Sequence, residues 1–305
     1  MIAGPTPRAL RSRWSVQRLA RRAAHAPCAR TRACTGDASG AGVRGASSSS
    51  SPSPPVVEAM GLRFATPLLL AAGFDRTGRL LADAAALGVG GVETGSHRPS
   101  AQGQLPLLRI AALRHPGRGA VARPCHGLSL LVPRVEDAGA AACRGRLRAA
   151  LAAWQASADY AVLNPGRSGA SPAHCVDLLA SLAEVRDRLP RVRRLALVAK
   201  LPAAWMERAD APVWARHLVE AGADGLLVSA EGAPQRAGER LAALADALGA
   251  EVCLISVGGI DSVRVAAARL AAGARLVQIH RALLATPERV LPLLAGIAAL
   301  GRGGR

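Results

Sequence analysis

From residue 56 onward the chain repeats one rhythm: a short apolar run, then an Ala/Leu/Arg stretch with the period of a helix. Eight runs read as strands, at 67–73, 90–95, 128–132, 159–164, 195–200, 224–229, 252–257 and 276–280. Helical stretches accompany them at 79–87, 136–157, 172–189, 211–221, 235–248, 261–271 and 287–300. Ser171-Pro172, Asp261-Ser262 and Thr286-Pro287 are helix-entry signals. Gly88, Gly222, Gly249 and Gly273 follow or close helices, as C-terminal glycines do. Eight such units on about 245 residues predict a closed (β/α)8 TIM barrel over residues 56–305. An open, doubly wound α/β sheet is the rival, but it calls for fewer repeats and an early glycine-rich nucleotide turn. The span 96–127 is too long for a simple crossover. It predicts an excursion over the barrel mouth, a usual place for a lid.

Residues 1–55 have a different character. They are rich in Arg, Ala, Ser and Pro and end in Ser47–Ser51, Pro52, Pro54 and Pro55. That composition predicts a disordered basic tail and linker. It also matches an organelle transit peptide, and the two readings weigh equally. The tail holds nine arginines and one acid, Asp37, so much of the net charge of +18 is local to it. A basic chain suggests nucleic acid. Here the remaining charge is of mixed sign, and one tyrosine and two phenylalanines are too few to build a base-stacking surface, so no nucleic-acid partner is expected. No run reaches eighteen uninterrupted apolar residues, which excludes an integral membrane span and leaves at most peripheral membrane contact. The six cysteines form no C-x-x-C pair, against a zinc ribbon or a disulfide framework.

In a barrel of this type the chemistry sits at the carboxyl ends of the strands. That selects Asp75 and Arg76, Thr94 and Ser96, Asn164, Lys200, Ser229, Gly258 and Gly259, and His280 and Arg281. Ser256-Val257-Gly258-Gly259-Ile260-Asp261 ends a strand in two glycines and enters a helix. Glycines let a backbone approach a ligand closely, and amides at a helix start suit an anion. With His280 and Arg281 alongside, this reads as a phosphate site, although a plain tight turn has the same local pattern. Lys200 is the single lysine among 39 basic residues. At the end of the fifth strand its ammonium can stabilise an anion, form a Schiff base or sit beside a cofactor ring. Asn164 can donate and accept hydrogen bonds. Asp75-Arg76 suits a surface ion pair as well as a site. His97, His115 and His126 with Cys125 match no established metal-ligand spacing and read as solvated loop histidines, so no metal is expected.

Several of these segments together resemble the dihydroorotate dehydrogenase family, most closely its quinone-linked class. Ala71-Ala72-Gly73-Phe74-Asp75-Arg76-Thr77-Gly78 resembles A-A-G-[FL]-D-K-N-G, and Val92-Glu93-Thr94-Gly95-Ser96 resembles V-E-I-G-T. Gly258-Gly259-Ile260-Asp261-Ser262, Ala271-Ala272-Gly273-Ala274 and Leu276-Val277-Gln278-Ile279 resemble V-G-G-I-x-S, A-A-G-A and L-V-Q-I-Y. Lys200 and Asn164 match the lysine of strand five and the first asparagine of the strand-four motif. The matches run in order from about Val57 to Leu294. The resemblance implies an FMN-binding oxidoreductase of pyrimidine synthesis that converts dihydroorotate to orotate. The FMN phosphate would lie on Gly258, Gly259, His280 and Arg281, and the ring near Ala71, Ala72, Gly73, Ser96, Lys200 and Ser229. Arg76 and Asn164 would face the substrate. A quinone would be the electron acceptor. The implied location is the cytoplasm with peripheral contact at the inner membrane, or the mitochondrion if the tail is a transit peptide.

Departures from the family pattern cluster on the substrate side. Where the strand-four motif reads N-x-S-[SC]-P-N, this chain reads Asn164-Pro165-Gly166-Arg167-Ser168-Gly169. Arg167 occupies the position of the base, and an arginine stays protonated. Ser168, one residue on, is the nearest hydroxyl and the candidate base. The asparagine-rich segment after strand two is replaced by His115–Gly127, and the T-N-T end of strand six by Ser229-Ala230-Glu231. These replacements imply weakened or absent turnover of dihydroorotate, or an FMN oxidoreductase with another substrate.

Overall fold

In a computed structural model the described residues are 56–78, 81, 84–105, 123–166, 168–191, 193–280 and 290–300. They begin with a small antiparallel hairpin, β1 (Val57–Ala59) and β2 (Leu62–Phe64), which the sequence reading missed. Three-residue strands with one charged residue each carry too little period to recognise.

Eight parallel strands follow: β3 (Leu68–Asp75), β4 (Gly91–His97), β5 (Cys125–Leu131), β6 (Tyr160–Asn164), β7 (Ala196–Leu201), β8 (Gly225–Ser229), β9 (Cys253–Val257) and β10 (Leu276–Ile279). Each pairs with the next, and β10 closes on β3, so the sheet is a complete barrel. Closure removes the open edges a sheet otherwise exposes, and the parallel sense gathers every carboxyl end on one rim. The predicted strands are found within two residues of their expected bounds, except β5. It starts at Cys125 rather than 128, because His126 and Gly127 interrupt the apolar run.

The described helices are α1 (Val135–Trp154), α2 (Pro172–Asp187), α3 (Ala203–Met206), α4 (Ala211–Glu220), α5 (Ala237–Leu248), α6 (Val263–Ala271) and α7 (Val290–Leu300). Two of the entry signals act as read. Ser171 Oγ accepts from the His174 amide at 3.2 Å, and Ser262 Oγ accepts from the Val265 amide at 3.3 Å. The third, Thr286-Pro287, lies outside the described residues, as do the tail 1–55 and 106–122 of the expected excursion. The expected helix 79–87 is described in part, as a 3-10 turn at Ala84–Leu87.

Three apolar clusters hold this arrangement, one of which packs Leu70, Phe74, Val92 and Val277 against Leu294 and Ile297 of α7. In another, Leu130, Leu147, Leu151, Leu178, Leu182 and Leu218 fill the space between β5–β8 and their helices. The third, inside the barrel floor, joins Leu69, Tyr160, Val162, Val198 and Ile255 to Phe64 of the hairpin. Each such side chain contributes about 1.5–3 kcal/mol of burial. Phe64 meets Tyr160 edge-on with ring centroids 6.4 Å apart. Gly127 has no room for a side chain, because a Cβ there would fall on the Tyr160 ring. The floor is therefore closely packed around Tyr160.

Candidate functional site

A cleft of about 540 Å³ opens at the carboxyl rim, within the range of small-molecule sites. Three walls meet there. Ala71 and Ala72 come from β3, Lys200 from β7, and Ser229 and Ala230 from the end of β8. Gly258, Gly259 and His280 follow β9 and β10. Of the residues expected from sequence to hold the cofactor, Ala71, Ala72, Lys200, Ser229, Gly258, Gly259 and His280 thus converge. Gly73 sits just behind them, since a Cβ on it would lie 3.6 Å from His280 Nε2. Ser96 also lines the cleft. Arg281 lies outside the described residues.

The glycine wall is bare backbone. Gly258 and Gly259 take φ of +100° and +69°, values that L side chains resist. A Cβ on Gly258 would come within 3.0 Å of the Glu231 amide nitrogen, and one on Gly259 would collide with the Pro234 ring. This wall can take an anion, with Lys200 supplying positive charge to the same cleft. Glu231 and Asp261, both exposed, add carboxylates to the rim.

The substrate-side expectations are not gathered there. Arg76 is exposed and stands off the cleft. Asp75 beside it is buried, and its Oδ1 accepts from the amides of Thr77 at 3.1 Å and Gly78 at 2.9 Å, so it shapes the loop. Asn164 is buried; its Nδ2 donates to Ser96 Oγ at 2.8 Å and its Oδ1 accepts from the Gly166 amide at 3.0 Å. Ser168 Oγ accepts from the Ala170 amide at 3.2 Å and does not line the cleft. Arg167 is outside the described residues.

Two residues absent from the expected site hold its floor. Glu93 and Gln278 line the cleft, each 1% exposed, and Gln278 Nε2 donates to Glu93 Oε2 at 2.6 Å. Burial pushes the Glu93 carboxyl above its usual range, opposed by Gln278, the charge of Lys200 and the Ser129 hydroxyl. Ser129 Oγ shares a 2.8 Å hydrogen bond with Ser96 Oγ, so a polar chain runs from Asn164 to Glu93. The available signal was an amide, Gln278, inside an otherwise apolar strand, and a carboxylate, Glu93, directly after Val92 in a strand-forming run.

The histidines correct an expectation. His97 and His126 are not solvated loop residues: they belong to β4 and β5 and are 3% and 0% exposed. His126 Nε2 bonds Thr94 Oγ1 at 2.9 Å, and its Nδ1 meets the Ser157 carbonyl. Burial, then the charges of Arg76 and His126, lowers His97 to about 4. His115 lies outside the described residues. Among the described residues no group of His, Cys, Asp and Glu is arranged to hold a metal. The four described cysteines are buried and form no disulfide with one another, and no described helix is long and apolar enough to cross a membrane.

A closed eight-stranded parallel barrel with a cleft at its carboxyl rim makes the chain a TIM-barrel protein. No family model matches it. It is 33% identical to the dihydroorotate dehydrogenase (quinone) of Clavibacter michiganensis subsp. michiganensis over 278 residues, 75% of this chain and 80% of that one. Identity to the same-named protein of Clavibacter sepedonicus is 32%, covering 81% and 85%. For that of Pseudomonas syringae pv. syringae it is 30%, covering 84% and 89%. Two dihydroorotate dehydrogenase crystal structures from Eimeria tenella share the fold at 17% identity. The ligand-free form has a TM-score of 0.66 and the ferulenol complex 0.63, each over 82% of this chain and over 88% and 84% of theirs. The chain belongs to the dihydroorotate dehydrogenase family, oxidoreductases of pyrimidine biosynthesis whose members are FMN flavoproteins.

Proposed function

We propose that this chain holds FMN in the rim cleft and acts as a dihydroorotate dehydrogenase-type oxidoreductase, with a quinone as the electron acceptor. The observation that carries the reading is the convergence of Ala71, Ala72, Ser96, Lys200, Ser229, Gly258, Gly259 and His280 on one cleft. The residues present suit the group. The bare wall at Gly258 and Gly259, which a Cβ would obstruct, suits a phosphate. Ala71 and Ala72 offer a flat apolar face for the ring. Lys200 places a compact positive charge where a ring that gains electrons needs it. FMN held there would supply the hydride acceptor for oxidation of dihydroorotate. The chain's own task is then to orient the substrate and accept the proton that leaves beside its carbonyl.

That second task is thinly provided. Arg76, Asn164 and Ser168 stand off the cleft, and Asn164 is committed to Ser96 and Gly166. This favours a second reading, a family member with impaired turnover of dihydroorotate. One experiment tests both. The purified protein is loaded with FMN and mixed anaerobically with dihydroorotate. Bleaching of the flavin absorbance supports the oxidoreductase reading. Bound flavin that stays oxidised supports the impaired reading, and the absence of bound flavin overturns the oxidoreductase reading.

A further inference from the structure

We propose that Glu93 is a positioning residue of the cleft: it holds the Gln278 amide and carries the counter-charge to Lys200, so that its protonation sets the net charge under the flavin ring. The proposal rests on the flavin reading of the cleft and deepens it. Three observations carry it. Glu93 is 1% exposed, yet it lines the cleft beside Lys200 and Gln278. Its Oε2 accepts from Gln278 Nε2 at 2.6 Å, a short bond of the charge-assisted kind. It belongs to the polar chain that ends at Ser96 and Asn164.

Groups face Glu93 from several strands. Lys200 on β7 favours its charged form, as do the neutral donors Gln278 on β10 and Ser129 on β5. Tyr160 on β6 is coupled to it from below, and the Tyr160 hydroxyl has no hydrogen-bond partner among the described residues. Protonating the carboxylate removes that counter-charge from the neighbourhood of the Lys200 ammonium. A buried carboxyl whose charge burial opposes and Lys200 restores is poised to change state with pH.

Lys200 is the only lysine of the chain, so isotope-labelled lysine gives a single side-chain resonance in the full-length protein. Without added flavin, the parent resonance should titrate with a midpoint above the ordinary carboxylate range, and Glu93→Gln should abolish that inflection. Gln278→Leu removes a donor to the carboxylate and should move the midpoint higher. This serves as the test if Glu93→Gln does not fold. A parent resonance with no such inflection, an inflection that survives Glu93→Gln, or an unmoved midpoint in Gln278→Leu overturns the proposal. Adding FMN should then shift the same resonance. A resonance that titrates but ignores FMN counts against the flavin reading and leaves the Glu93–Lys200 coupling standing.

Discussion

Asn164 Nδ2 donates to Ser96 Oγ at 2.8 Å, tying the end of β6 to the end of β4 past the intervening β5. The bond turns a residue expected to face substrate into a brace for one that lines the cleft. Asn164→Ala removes this donor and the acceptor of the Gly166 amide. The expected loss is about 1–3 kcal/mol, read as a melting temperature lowered by roughly 2–4 °C per kcal/mol. An unchanged melting temperature would mean that the brace carries no load.

Gly259→Val should strip the protein of FMN. The new side chain must displace Pro234 and adopt a φ of +69°, which distorts the anion wall. Flavin content per chain, measured after gel filtration, checks this; a parent-like content removes Gly259 from the phosphate site.

Lys200→Ala should weaken FMN binding about 10- to 100-fold, the cost of losing a charge-assisted contact of about 1.5–3 kcal/mol. It should also make the bound flavin harder to reduce. Titration of flavin fluorescence gives the first quantity and a redox titration the second. Parent values for both would make the lysine a bystander.

Much of this was legible before any coordinates. Strands such as Leu226–Val228 and Ala196–Ala199 are unbroken apolar runs because helices cover one face and the barrel interior the other. The glycine pair and Lys200 stood out because each breaks the local pattern at a strand end. Glu93 and Gln278 escaped because their partners lie on β10, β7 and β5, far apart in sequence. The inward direction of one acid within Val92–Thr94 depends on the register of β4. Arg76 and Asn164 were placed by position along a strand, whereas side-chain direction decides access to the cleft.

Acid should destabilise the fold through His97. In the unfolded chain this imidazole titrates near its ordinary 6.5; in the folded protein burial and the charges of Arg76 and His126 hold it at about 4. Between those values the unfolded state binds a proton that the native state refuses. Stability is therefore full above about pH 6.5 and falls as pH drops toward about 4. His126 is lowered by burial and acts in the same direction. Melting temperatures across this window should decline in the parent and less steeply in His97→Leu. Parallel declines would show that other groups carry the effect.

Arg167→Ser restores a hydroxyl at the family's base position. If only the base was lost, dihydroorotate turnover should rise by as much as the roughly 10²–10⁴-fold that a general base contributes. Ser168 stands off the cleft, so Ser168→Ala should leave whatever turnover the parent has unchanged; loss of turnover in that variant would make Ser168 the base.

The absorbance spectrum of the full-length protein, purified with FMN present and then desalted, tests the central claim most directly. A flavin spectrum at one FMN per chain, lost in Gly259→Val, is the predicted result. A folded protein that leaves the column colourless would contradict the account.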